Sequence, residues 1–181
     1  QGTRLALPSS APPARKMAVV MWTSKLGGKY PKEEIERQDA ASQLELKRLR
    51  RLKDHGNHLC ADCGAQDSSW ASVSLGVFIC VTCSDVHRSV GTHVSKTKGC
   101  TGTYLWGPDE LEKMRTTGNR LADTLYGADK VSSSASKEEK QRFVLRKYQD
   151  RAPAARQQPQ QPQQPQQQQQ QPQHQPQRWQ Q

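Results

Sequence analysis

Cys60-Ala61-Asp62-Cys63 and Cys80-Val81-Thr82-Cys83, separated by sixteen residues, are the stretch on which the fold turns. A C-x2-C pair lets two thiolates reach one ion from a tight turn, and two such pairs complete the tetrahedron that zinc prefers. The spacer is long enough for a short β-hairpin that returns the second pair to the metal, and Trp70-Ala71-Ser72-Val73 and Val77-Phe78-Ile79 supply β-prone residues for it. With all four positions filled by protein, the single Zn2+ expected here is structural and leaves no open site for catalysis. Any chemistry therefore comes from a neighbouring side chain. Cys83 is expected in the first turn of a short helix that runs through Val90 and stops at Gly91. At 100° per residue Cys83 and His87 share one face, while Arg88 points about 140° away from Cys83. The zinc would anchor a helix that presents Arg88 outward, with His87 as an imidazole packed beside the metal.

Outside that stretch, composition bounds the rest. The chain has 181 residues, enough for one domain with flanking segments. Only 33% of residues are hydrophobic and 6% aromatic, so part of the chain is expected to be unfolded. A net charge of +10 implies attraction to anionic surfaces, whether nucleic acid, membrane or an acidic protein face. No apolar run approaches the length of a membrane-spanning helix. Five cysteines, four of them in metal-ligand spacing and Cys100 apart, suit a reducing compartment better than a disulfide scaffold. The expected location is cytoplasmic.

Along the chain, Pro8, Pro12, Pro13, Pro31 and Gly27-Gly28 read as breakers, so residues 1–32 are expected to be a disordered lead-in. A helix is expected from Glu33 to Asp54, with Ile35, Leu44, Leu49 and Leu52 as its apolar residues and Gly56 as its stop. Its end carries Lys47, Arg48, Arg50, Arg51 and Lys53, which fits a solvated helix face and, alternatively, contact with an anionic membrane. Pro108 opens a second helix expected to run through Leu111, Met114, Leu121 and Leu125 to Gly127, weakened at Gly118. Ser136 and Glu139 have capping-box spacing ahead of Phe143, Val144 and Tyr148. Residues 153–181 are nearly all Gln and Pro and are expected to be a disordered tail. The fold class is α+β and helix-rich, a small four-cysteine zinc finger with a short β-hairpin surrounded by helices, flanked by disordered tails, and expected to be monomeric.

Cys60-x2-Cys63-x16-Cys80-x2-Cys83-x4-Arg88 resembles the signature of the Arf GTPase-activating proteins. So do Trp70 through Cys80, the run from Val86 to Lys96, Gly118-Asn119 and Phe143 through Tyr148, so that the likeness covers roughly residues 42–150. The resemblance implies that Arg88 acts as an arginine finger in the nucleotide pocket of an Arf-family small GTPase in its GTP-bound state. The chain would be a GTPase activator supplying a catalytic arginine in trans and not itself an enzyme. It would act in vesicle traffic, recruited peripherally to Golgi or other membranes. Trp70 would support the finger or the partner interface, though it also fits a core tryptophan beside the zinc; His87, His93 and Lys96 match the motif with less defined roles. Two features depart from the family pattern. Asp85 stands where glycine is usual, and Gly99 through Trp106 is shifted and lacks an acid. A GATA-like DNA-binding finger shares the two C-x2-C pairs, but His87-Arg88-Ser89-Val90-Gly91 replaces the Asn-Ala-Cys helix expected there, so no nucleic acid is expected as partner. A third reading keeps the fold as an interaction module of weak activity.

Overall fold

A computed structural model describes residues 18–150, and the expectations for residues 1–17 and for the Gln/Pro tail at 153–181 lie outside them. The described chain opens on an antiparallel hairpin, β1 (Met21–Thr23) with β2 (Lys29–Pro31). Residues 21–31 thus depart from the expected disordered lead-in. The residues read as breakers form the connection: Gly27 has φ +101°, which a side chain would strain, and Pro31 ends the strand directly before the next helix. Ser24 N donates to Gly28 O at 2.8 Å, and the Trp22 and Tyr30 rings lie 6.4 Å apart.

The first helix, α1 (Lys32–Arg50), starts near the expected position and ends four residues early. It buries Ile35, Ser42, Leu46 and Leu49, an i, i+7, i+11, i+14 stripe on one face. Leu44, expected on that face, is 69% exposed. Two residues before Leu46 it sits about 200° around the helix and cannot share the stripe.

A three-stranded antiparallel sheet follows, in the order β4-β3-β5, with β3 (Trp70–Ser72) central, β4 (Val77–Ile79) and β5 (Thr97–Gly99). Trp70 pairs with Ile79 on one side and with Gly99 on the other. Strand alternation splits the core. Val77 and Ile79 join the cysteines, Val86, Phe143 and Tyr148 in one cluster, while Phe78 joins Leu46, Leu49, Trp106 and Met114 in another.

Between β4 and β5 lies α2 (Val81–Ser89), capped at Val90 and followed by Gly91 at φ +98°. The helix expected from Pro108 to Gly127 is two helices, α3 (Pro108–Thr116) and α4 (Gly118–Tyr126). Gly118 has φ +67°, and a Cβ there would lie 3.1 Å from Asn57 Oδ1. The break lets Asn119 N donate to Asn57 Oδ1 at 2.9 Å, while Asn119 Oδ1 accepts from Phe78 N at 2.8 Å. These two asparagines tie α4 to the end of α1 and to the sheet. The last helix, α5 (Lys137–Leu145), begins with the capping box expected at Ser136 and Glu139, packs on α2, and widens into a π-helical turn over Arg146–Asp150. No helix among the described residues is long and apolar enough to cross a membrane.

Candidate functional site

The four sulfurs of Cys60, Cys63, Cys80 and Cys83 lie within 4.8 Å of one another. Cys60 and Cys63 come from the turn after α1, Cys80 caps α2, and Cys83 lies in its first turn. Four ligands at about 2.3 Å from a tetrahedral ion sit about 3.8 Å apart, and Cys63 Sγ lies 3.7 Å from Cys80 Sγ. The donor set is thiolate alone, which suits zinc, so these residues form a site for one structural Zn2+. Left to share protons, the cluster favours a single charge. Hydrogen bonds from Cys63, Cys80 and Cys83 hold Cys60 well below the ordinary thiol range. Sharing with Cys60 pushes Cys63, Cys80 and Cys83 above it. A divalent cation removes that conflict by compensating several thiolates at once. Cys100 stands outside the cluster; burial pushes its thiol up to about 12, and it packs as a small hydrophobe.

The helix bearing Cys83 is fixed a second time by a buried polar chain. Asp62, inside the first C-x2-C turn, is fully buried and hydrogen-bonds His87 Nε2 at 2.8 Å and Tyr148 Oη at 2.6 Å. His87 Nδ1 reaches Ser95 Oγ at 2.7 Å, and Ser95 Oγ donates to Ser72 Oγ at 2.7 Å. One connected set of hydrogen bonds therefore joins the zinc turn, α2, the loop before β5, strand β3 and the C-terminal turn. His87 faces inward with Cys83 and stands outside the cluster of metal-ligating sulfurs. Asp62 has no local signal in the sequence, because its position in the turn shows no sign of partners 25 and 86 residues away. Burial and the nearby Asp62 carboxylate hold the Tyr148 hydroxyl well above its ordinary range, so it stays protonated and donates. Tyr148→Phe leaves a buried carboxylate oxygen without this donor and is expected to lower stability by about 1–3 kcal/mol. Urea denaturation of the two proteins measures the difference; a loss below about 0.5 kcal/mol would show that the chain is not held by this bond.

Arg88, next to the buried His87, points into solvent with 48% of its side chain exposed. Its guanidinium carbon lies 4.8 Å from the centre of the Trp70 ring, a cation–π arrangement. Trp70 is half-buried, stacks edge-on with Tyr104 at 5.7 Å, and packs against the zinc-side core, so it touches both the core and the arginine. Arg88 also forms an ion pair with Asp85 one turn earlier. His93 is exposed, and its ring lies 2.8 Å from where a Cβ on Gly91 would sit, so it closes over the end of α2. Lys96 is half-buried, with its backbone N donating to Ser74 Oγ and its O accepting from Val73 N, which fixes the loop to β3. Trp70 thus bridges the core cluster that contains the zinc ligands and the exposed arginine.

The fold and site define a four-cysteine zinc module of the α+β class whose second cysteine pair starts a short helix carrying an exposed, aromatic-supported arginine. Residues 43–158 match the ArfGap family, described as putative GTPase activating protein for Arf, and the chain belongs to that family. ADP-ribosylation factor GTPase-activating protein AGD12 of Arabidopsis thaliana is 40% identical over 111 residues, 55% of this chain and 33% of its own length. The human Arf-GAP with coiled-coil, ANK repeat and PH domain-containing protein 3 is 38% identical over 100 residues, 51% of this chain and 12% of its own length. The chain thus spans a third or less of these curated relatives. Among solved structures, the ArfGap domain of HIV-1 Rev binding protein matches in fold, with a TM-score of 0.56 over 66% of this chain and 92% of that domain at 18% identity.

Proposed function

We propose that this chain stimulates GTP hydrolysis by an Arf-family small GTPase in its GTP-bound state, with Arg88 as the finger inserted into the partner's nucleotide pocket. The observation that carries the reading is the exposed guanidinium held over Trp70 at the end of a helix whose inner face is anchored by the zinc site in its first turn and by His87 near its end. Family membership supplies the partner class. As GTP hydrolyses, negative charge develops on the transferred phosphoryl oxygens, and a guanidinium aimed at them stabilises the transition state more than the ground state. GTP, magnesium and the attacking water belong to the GTPase. This chain supplies one cation and the rigid surface that delivers it. The proposal carries with it a cytoplasmic location, peripheral to Golgi or other membranes, and a role in vesicle traffic. Single-turnover GTP hydrolysis over a panel of Arf-type GTPases tests it. Acceleration of at least one member is expected, and uniform basal rates across the panel would refute it.

Asp85 gives the competing reading, an interaction module of weak activity, its one specific support. Its carboxylate holds the Arg88 guanidinium on its own helix and would be carried with it toward the partner's phosphates. An exposed pair of this kind is worth up to about 1 kcal/mol, so Asp85→Asn is expected to raise the stimulated rate by up to about fivefold. The same assay reads the change. A rate lowered by Asp85→Asn would mean that Asp85 positions the arginine productively instead of competing for it.

A further inference from the structure

A second basic site lies apart from Arg88. The last turn of α1 and the segments at 58–68 and 100–102 enclose an open cleft of about 660 Å³. Lys47, Arg50, Arg51 and His58 line it, and no carboxylate does. The Lys47 and Arg51 side chains are exposed and make no ion pair or hydrogen bond among the described residues. Arg50 is held by its Nε–H donating to Ser68 O at 2.8 Å, and the nearest acid, Asp67, lies 3.9 Å from its guanidinium. His58 Nδ1 is buried with no hydrogen-bond partner among the described residues. Basic side chains in a last helical turn are explained by the helix dipole. That explanation does not extend to three cations lining one cleft that holds no carboxylate. Neighbouring Arg48 shows the alternative, since it turns away to pair with Glu45.

We propose that this cleft binds a phosphomonoester group, presented by a phosphorylated polyol either as a lipid headgroup or free in solution. Three cations are opposite in sign to a multiply phosphorylated ring, Arg50 and Arg51 offer forked donors to phosphate oxygens, and the volume admits a six-membered polyol. The cleft is linked to the arginine surface through Gln43. Gln43 Nε2 donates to Tyr104 O at 3.0 Å, and the Tyr104 ring packs on Trp70, over which Arg88 lies. A headgroup bound in the cleft would therefore fix how the Arg88 face is oriented relative to a membrane. The proposal does not depend on GTPase activation, and its test contains no GTPase.

Titration calorimetry with a soluble inositol trisphosphate is the first arm, run on the full chain over a salt series. Binding that weakens as salt rises is expected. The double variant Lys47→Gln/Arg51→Gln is expected to lose about tenfold or more in affinity, while Arg37→Gln/Arg142→Gln, with the same change in net charge, stays within about twofold. Both pairs are exposed, so folding is not at stake. No binding by the unaltered chain, or equal losses in the two variants, would overturn the site. The second arm is flotation with phosphatidylcholine vesicles carrying either a phosphatidylinositol bisphosphate or phosphatidylserine at equal charge. Preferential capture by the bisphosphate assigns the ligand to a lipid headgroup, and soluble binding without capture assigns it to a free phosphorylated polyol. Equal capture by both vesicle types would overturn phosphomonoester recognition in favour of general charge attraction.

Discussion

Replacing Arg88 by lysine is expected to lower stimulated GTP hydrolysis by about 10³-fold or more, the low end of what arginine fingers contribute. That corresponds to about 4 kcal/mol of barrier. Lysine keeps the positive charge but loses the planar fork that can donate to two phosphoryl oxygens at once, and it loses stacking on Trp70, whose ring centre lies 4.8 Å from the guanidinium carbon. Structure should be unaffected, because the side chain is half exposed and its ion pair is the surface contact with Asp85. The informative comparison sets hydrolysis rate beside zinc content and thermal unfolding for the two proteins. A variant that keeps its zinc and melting temperature yet stimulates as well as the original would sink the finger assignment while leaving the fold intact. A variant that loses both rate and zinc would instead show Arg88 to be part of the scaffold, contrary to its exposure.

The parts of the molecule visible in sequence are those set by short-range periodicity. Cys60, Cys63, Cys80 and Cys83 mark the metal site by their spacing, Cys83 and His87 share a face by helical geometry, and Ser136 with Glu139 forms the capping box their spacing implies. The parts that stay hidden depend on distant partners. The hairpin at 21–31 rests on Ser24 Oγ donating to Asp109 Oδ2 and on Lys25 N donating to Glu110 Oε1, both across 85 residues. Lys98, buried in β5 and paired with Glu110, completes that junction with its ammonium 5.0 Å from the Trp22 ring centre. Burial lowers the pKa of this lysine, and the Glu110 carboxylate opposes the shift. Nothing local in Thr97-Lys98-Gly99 marks a buried strand, because its lysine reads as solvent-facing until its acid is known. Asp62 is hidden for the same reason. Lys98 and Asp62 are buried because specific distant groups neutralise or hydrogen-bond them, Glu110 for the lysine and His87 with Tyr148 for the aspartate, and such pairing leaves no periodic trace.

Removing the zinc is expected to unfold the domain. Structural zinc binding through thiolates is worth about 10–16 kcal/mol, and a domain of this size has a net stability of about 5–15 kcal/mol, so the metal accounts for most or all of the margin. The geometry says where the loss falls. Cys80 caps α2 and Cys83 occupies its first turn, while Cys60 and Cys63 hold the turn that contains Asp62. Without the ion, four crowded thiols are left to share protons, the turn and the helix lose their common anchor, and the Asp62–His87–Ser95 chain joining them loses its register. α2 also packs on β3, β5 and α5, so its release would expose both the sheet and the last helix. Titration with a thiol-blocking mercurial should release one equivalent of zinc, measured with a chromogenic chelator, and circular dichroism should show cooperative loss of helix at the same stoichiometry. Cys83→Ser, which removes one ligand from the first turn of α2, should do the same in the purified protein or prevent its accumulation in soluble form. The outcome that breaks this account is a zinc-free chain that still melts cooperatively near the temperature of the zinc-bound form. The buried polar chain would then hold α2 by itself, and Arg88 would be delivered by hydrogen bonds instead of by the metal.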